Sequence, residues 1–543
     1  MWRVWHVLAA LVIAAPIAAP RALSADPPRA LSAELVIGAA VEPDSIDPHV
    51  HNFGGNKSLM PNLFEALTTT DANDRLVPNL AVAWQAIDAT TWEFRLRPGV
   101  RFSDGTLLTA DDVAFTLRRV PNVPTTVTDF AEYVKPIAQV EVVDPTTVRL
   151  HTAAPFPLAP EYLSAIGIVS RRHGEAATTA DYNDGTAAIG TGPFRFVSWA
   201  RGDRLVLQRN ESWWRGPAAW DRVTYRYIKN AASRLAALLA GDVDLIDQVS
   251  VQDVARVQAD ARFTVATGVS DDIVGFVFDL QDRSSPKIAG NDGATLPKNP
   301  FRDQRVRAAV NLAIDRAAIR DRIMNGQSAP QNQFMLPGQY GYDPDLPPLR
   351  FDPVEARRLL AEAGYSAGFR LTIDCQNDRF VNDASICQAV AQMLTRIGIA
   401  ATPEVMPHAV WVPKANRREF SFFTTFWTID TPEPSIMLIS QLATFDAARG
   451  RGAFNRSMYS NATFDATLDQ ALTTTDAKAR EALLIKATDI AFRDQALVPL
   501  HRQVNIEAMD RRVRHTPRND GHLLAADVQP ASDTPTSDTH KRN

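Results

Sequence analysis

A chain of 543 residues is too long for one hydrophobic core, so two or three domains are expected. Hydrophobic residues at 45% and charged residues at 22% describe an ordinary globular protein. The net charge of −5, with no Lys/Arg stripe interleaved with aromatics, excludes a broad nucleic-acid-binding face.

At the N-terminus, Arg3 and His6 precede the apolar stretch Val7–Ala19, and Ala22, Ser24 and Ala25 offer small-residue cleavage positions. That layout predicts a secretory signal peptide over 1–25. Pro16 and Pro20 break the run, which is shorter than the roughly 20 residues of a membrane span. The mature chain is therefore expected as a soluble protein outside the cytoplasm. Its cysteines, Cys375 and Cys387, lie far from the cleavage region, so no lipid anchor is expected.

Further along, Leu35–Ala39 reads as a strand, followed by Glu42 and the turn Asp47-Pro48-His49. Trp92, Phe94 and Leu96 alternate with Glu93, Arg95 and Arg97, the period of a half-buried strand. Pro98-Gly99 and Asp104-Gly105 supply turn chemistry, and Thr109 with Asp111 and Asp112 marks a helix start. Ser233 is placed to cap a helix ending at Gly241, before a strand at Val243–Ile246. Asp303 precedes an amphipathic stretch, and Asp352-Pro353-Val354-Glu355 opens a helix that Gly364 stops. A strand at Phe369–Asp374, a helix over about 385–397 and a strand near Ala400–Met406 make a βαβ unit. The fold class is α/β. In that unit Cys375 and Cys387 form a disulfide or remain two buried thiols; a bridge is the pairing an oxidising compartment favours. Ser421–Trp427 is a buried strand by composition, and Pro432 and Pro434 force the loop after it. Residues 526–543 are polar and aperiodic, the composition of a disordered tail.

Enzyme signatures are missing: there is no Gly-x-Ser-x-Gly elbow, His-Glu-x-x-His or phosphate loop. Pro193 spoils Gly190-Thr191-Gly192 as a phosphate cradle, so these glycines are read as serving a chain crossing. His49 and His51 lack the companions a closed metal site needs. No metal or cofactor is expected, and a periplasmic hydrolase is the minority alternative.

The run from Ala83 to Val113, AWQAIDATTWEFRLRPGVRFSDGTLLTADDV, resembles the signature of the extracytoplasmic solute-binding proteins of family 5, the dipeptide- and oligopeptide-binding receptors of ABC importers. Further resemblance lies in Leu35–His49, Gly190–Trp199, Asn210–Gly216, Phe301–Arg316 and Asn461–Asp469. It implies a periplasmic-binding-protein fold, with two lobes closing on a ligand cleft and an extra inserted domain. The first lobe would be built from 34–54, 189–278 and 496–525, the inserted domain from 55–188 and the second lobe from 279–495. It implies a monomeric periplasmic receptor for a peptide or other small solute, passed to membrane permease subunits, with an oligosaccharide, opine or metal chelate as alternative cargo. Trp427, Asp430 and Pro434 match the family's Trp-x-x-Asp-x-x-x-Pro motif, which gives Asp430 the ligand's α-ammonium. Backbone groups before Asp430, including Thr428, would then pair with the peptide; Asp430 as a mere turn cap is the other reading. Glu42 matches a cleft-lining segment and is otherwise a solvated loop carboxylate. Trp411 would floor a side-chain pocket or be a core residue, and His408 is placed near the cleft by its position.

Overall fold

Most of the apolar strands join one mixed sheet that runs through two lobes, with helices packed over it. The computed structural model describes residues 34–124, 130–429 and 431–531. The expected signal peptide at 1–25 and Asp430 lie outside the described residues.

In chain order, β1 (Glu34–Ala39) leads to a helix at Gly54–Leu63. β2 (Thr68–Thr70) and β3 (Leu76–Pro78) form a hairpin. β4 (Ala81–Asp88), β5 (Thr91–Leu96), β6 (Ile137–Asp144) and β7 (Thr147–Thr152) make a separate sheet in the order β4-β5-β7-β6. There follow β8 (Phe194–Ala200), β9 (Arg204–Arg209), β10 (Arg222–Tyr227), β11 (Leu245–Ile246) and the long β12 (Phe263–Phe278). Next come β13 (Ile288–Ala289), β14 (Ala329–Pro330), β15 (Phe369–Gln376), β16 (Ile399–Met406) and β17 (Phe422–Thr428). The chain returns through β18 (Leu497–Asp510), then β19 (Val513–Arg514) and β20 (Gln529–Pro530). The main, 12-stranded sheet runs β13-β15-β17-β12-β18-β11-β1-β10-β9-β8, with β14 on β18 and β16 on β15.

Local signals explain much of this. Thr109 and Asp112 close a capping box on the helix Ala110–Arg119. Asp303 and Asp352 cap the helices Gln304–Ala313 and Pro353–Glu362 by accepting from Arg305 N and Glu355 N. The helix Ala231–Ala240 differs from expectation: Asn230 is its cap, and Ser233 supplies the N–H that Asn230 accepts. β15, the helix Asp383–Arg396 and the parallel β16 form the expected βαβ unit, where a disulfide joins Cys375 to Cys387. β5 is more buried than strict alternation predicts. It lies between β4 and β7, and Glu93 is buried there against Arg149 at 3.0 Å.

One apolar core sits under the second half of the sheet, around Phe276, Phe278, Phe301, Phe369 and Phe422; another packs Leu235, Leu238 and Ile506 under the first half. Burial of each such side chain contributes about 1.5–3 kcal/mol. The glycines at 190–192 pack on the C-terminal end of the Gly54–Leu63 helix, where a Cβ on Gly190 would collide with the Leu63 carbonyl. Of the tail expected over 526–543, residues 526–531 fall within the described residues and 532–543 lie outside them. β20 pairs with β19, and Trp220 Nε1 donates to Val528 O at 2.8 Å, so 526–531 is ordered structure.

Candidate functional site

β12 and β18 run side by side in register from Phe263↔Asp510 to Val269↔Val504, then lose register and resume at Ile273↔Arg502. Ser270, Asp271 and Asp272 occupy that break, a bulge that redirects side chains out of the ladder. Arg502 Nη1 donates to Asp271 Oδ1 at 2.9 Å and to Ser270 O at 3.1 Å. Asp272 accepts from Thr428 Oγ1 at 2.5 Å and from Gln503 Nε2 at 3.3 Å.

Above the break opens a cleft of about 820 Å³. Its walls come from the loop after β1, the Gly54–Leu63 helix, the ends of β10 and β11, the β15–helix loop, β17, β18 and the 520–523 segment. Ligands of open α/β sheets bind outside strand ends in this manner. Five carboxylates line it: Asp247, Asp271, Asp272, Glu507 and Asp520. Four are matched: Asp247 by Arg234 at 3.3 Å, Asp271 by Arg502, Glu507 by His515 at 2.5 Å, and Asp520 by Arg518 at 2.8 Å. Burial pushes Asp247 up to about 6 against the pull of Arg234. Burial also raises Asp272, opposed by its hydrogen bonds from Thr428, Gln503 and Ser270 and by the charge of Arg379. Burial opposes ionisation of Asp520 too, yet His522 and Arg518 hold it well below the usual carboxylate range. Asp272 makes no ion pair among the described residues. Nor does Arg379, whose guanidinium lies 4.4 Å over the Phe426 ring.

Of the residues singled out from sequence, Thr428 lies on the cleft wall. Trp427 is adjacent on the strand and so faces the other way, against Phe454 with ring centroids 5.2 Å apart. Glu42 is used structurally: its Oε1 accepts from Trp199 Nε1 at 3.0 Å and Gly202 N at 2.8 Å, holding the β8–β9 turn, while Val41 and Pro43 beside it face the cleft. Trp411 is a core residue, buried with Met406, Phe420 and Phe423, because its helix packs an apolar face on β17. His408 stacks on Trp411 and its Nδ1 meets Gln376 Oε1 at 2.6 Å, outside the cleft lining. His49 has both ring nitrogens engaged, by Gly167 O at 2.8 Å and Arg119 at 2.7 Å, and His51 is tied to Asp44. Sequence reasoning missed Asp271, Asp272 and Arg379. The signal for the first two was an acidic pair interrupting the apolar run FTVATGVSDDIVGFVF; for Arg379 it was the loop at the carboxyl end of β15.

A two-lobed α/β molecule whose long strands break at the floor of a charged cleft has the architecture of a solute-binding protein. The chain belongs to the bacterial extracellular solute-binding proteins, family 5, whose middle region matches residues 75–448. It is similar to the glutathione-binding protein GsiB of Salmonella paratyphi A, 26% identical over 503 residues, covering 91% of this chain and 92% of that one. The heme-binding protein A of Haemophilus influenzae is 26% identical over 465 residues, 80% of this chain and 81% of that one. Among solved structures, the periplasmic murein tripeptide-binding protein MppA in its unliganded open form superposes with a TM-score of 0.78 at 22% identity, covering 92% of this chain and 98% of that one. The chain is thus an extracytoplasmic receptor that binds a small solute for an ABC permease, and not an enzyme. Among the described residues no helix is long and apolar enough to cross a membrane.

Proposed function

We propose that this receptor captures short peptides with free amino and carboxyl ends. The observation that carries this reading is an acid and a base on one cleft, Asp272 and Arg379, neither held in an ion pair among the described residues. A zwitterion sets an ammonium against Asp272 and a carboxylate against Arg379, whereas a neutral oligosaccharide leaves the two with only each other's charge on closure. A volume of about 820 Å³ suits a ligand of a few residues, since small-molecule sites span roughly 300–1,000 Å³. Relatives named for glutathione and for a murein tripeptide agree with it. Arg379 is assigned the ligand carboxylate. Asp430, matched with Trp427 and Pro434 to the sequence motif, is assigned the α-ammonium on that motif, and Asp272, hydrogen-bonded to Thr428, supplies a second acidic group on the floor. We further propose that residues 1–25 are the export signal, that the mature protein is a free periplasmic monomer, and that the lobes divide at the boundaries set out from the sequence.

Calorimetry with trialanine, its N-acetyl form and its C-terminal amide tests the assignment. Each charge-assisted contact contributes about 1.5–3 kcal/mol, roughly 10- to 150-fold in affinity. Arg379→Gln is expected to weaken trialanine that much and to remove the difference between acid and amide. Asp430→Ala is expected to do the same for the free and acetylated amino ends. Undiminished discrimination in either variant removes that residue from the site, and no binding of any of the three by the wild type defeats the peptide reading.

A further inference from the structure

A second, smaller chamber of about 160 Å³ adjoins the cleft and shares Asn52, Lys57, Asp271, Thr428, Asp520 and His522 with it. Its far wall comes from the inserted region: Thr69, Thr70 and Asp74 of the β2–β3 hairpin, with Phe130 and Tyr133. Asp74 is 7% exposed, and its Oδ2 finds no hydrogen-bond donor. The carboxyl it faces is Asp271, within hydrogen-bonding reach when one of the two carries a proton. Two carboxyl groups sharing a site cannot both ionise unaided. Burial and then Asp271 push Asp74 up to about 10, while Asp271 has Arg502 as its cation. In the solute-free chamber the proton therefore sits on Asp74. His51 points the same way: with Nδ1 committed to Asp44, its buried Nε2 has no partner and lines the chamber. Asp74 Oδ2 and His51 Nε2 are thus two buried polar atoms of the chamber wall for which no donor or acceptor is found among the described residues.

Resting on the peptide reading, we propose that this chamber is a specificity pocket for a cationic side chain of the solute, an ammonium or guanidinium, held by Asp74 beside Asp271. The entering cation brings its N–H donors to Asp74, whose carboxyl loses its proton to solvent, so one bound charge replaces one proton. Asp271 and Asp520 oppose the ionisation of Asp74 and Arg518 favours it; His51, Lys57 and His522 line the same space. The chamber is closed by the inserted region on one side and by Thr428, Ile429, Thr431 and Pro432 on the other, so occupancy reads both.

The test uses tripeptides in which each residue of trialanine is replaced in turn by lysine or by its uncharged counterpart norleucine. Calorimetry at pH 7 in buffers of different ionisation enthalpy gives affinity and proton release together. At one position lysine is expected to bind at least about tenfold tighter than norleucine and to release about one proton, while norleucine releases none. Asp74→Asn is expected to bring that ratio to within about twofold and to abolish the release. Asn suits the site because residue 74 has φ of 57°, a region it tolerates. Thermal unfolding of the variant checks its fold, and the wild-type proton count stands without it. Equal binding of lysine and norleucine peptides, or lysine binding without proton release, overturns the pocket and leaves the peptide reading intact. If no tripeptide binds, the peptide reading falls and this inference with it.

Discussion

His501 on β18 is buried to 2% exposure with Nε2 unpartnered, and that burial lowers its pKa to about 4. In the unfolded chain it titrates near 6.5. The folded form refuses a proton that the unfolded form binds between those values. Its contribution is therefore complete above pH 6.5 and is lost as pH falls toward 4. The shift is worth on the order of 3 kcal/mol. Urea unfolding of wild type and His501→Gln at pH 7.0, 5.5 and 4.5 isolates it: the stability difference between them is expected to move against wild type by about that amount. A difference independent of pH would show that His501 is hydrated. Asp47 teaches the converse. Fully buried, it is held by two hydrogen bonds from Arg119 at 2.9 and 2.6 Å, so Arg119→Leu strands a charge and is expected to cost about 3–5 kcal/mol in the same assay. Neither partner was legible from sequence. Asp47-Pro48-His49 reads as a turn, and nothing local to it announces an arginine 72 residues away.

At the scale of elements, what was legible is what is local. Capping residues at 109, 303 and 352, the stop at Gly364 and the βαβ unit across Cys375 were readable because each depends on neighbours within one turn or one crossover. The β12–β18 ladder was not, since its partners are separated by more than 200 residues and its register is set by tertiary packing. Misplaced site residues have the same origin. Trp427 and Thr428 are adjacent, but strand alternation sends one to the core and the other to the cleft, and sequence alone does not say which. One glycine shows how tightly the ladder is built. A Cβ on Gly275 would lie 2.6 Å from the Val498 carbonyl, across the paired β12 and β18 strands. Gly275→Ala is expected to destabilise by about 1–3 kcal/mol through that overpacking, measured as a lower midpoint of chemical unfolding. A neutral result would mean that the strands separate there without loss. The disulfide between β15 and the following helix works in the opposite direction. On the loop-entropy model its reduction is expected to remove roughly 3 kcal/mol, read as a drop in melting temperature with dithiothreitol.

For the whole molecule, the family signature and the cleft lie in different places. The Ala83–Val113 run contributes to β4, β5 and the Ala110–Arg119 helix, on and beside the separate four-stranded sheet, whereas the cleft is assembled from segments scattered between residues 39 and 523. That is why the sequence identified the receptor more readily than its solute. The same assembly predicts how the receptor responds. β12 and β18 pass from one half of the sheet to the other, and the break at Ser270–Asp272 is the longer of two places where their register slips, the other lying between Val274 and Gly275. A ligand touching Asp272 on the floor, Arg379 on one wall and the 520–523 segment on the other lowers the energy of the closed arrangement relative to the open one. Small-angle scattering is therefore expected to give a smaller radius of gyration with a saturating tripeptide than without. The same peptide at about 100 times its Kd should add roughly 2.7 kcal/mol to stability. Stabilisation with an unchanged radius would show that the cleft binds without closing. The break in β12 would then be a device for aiming Asp271 and Asp272 rather than a hinge.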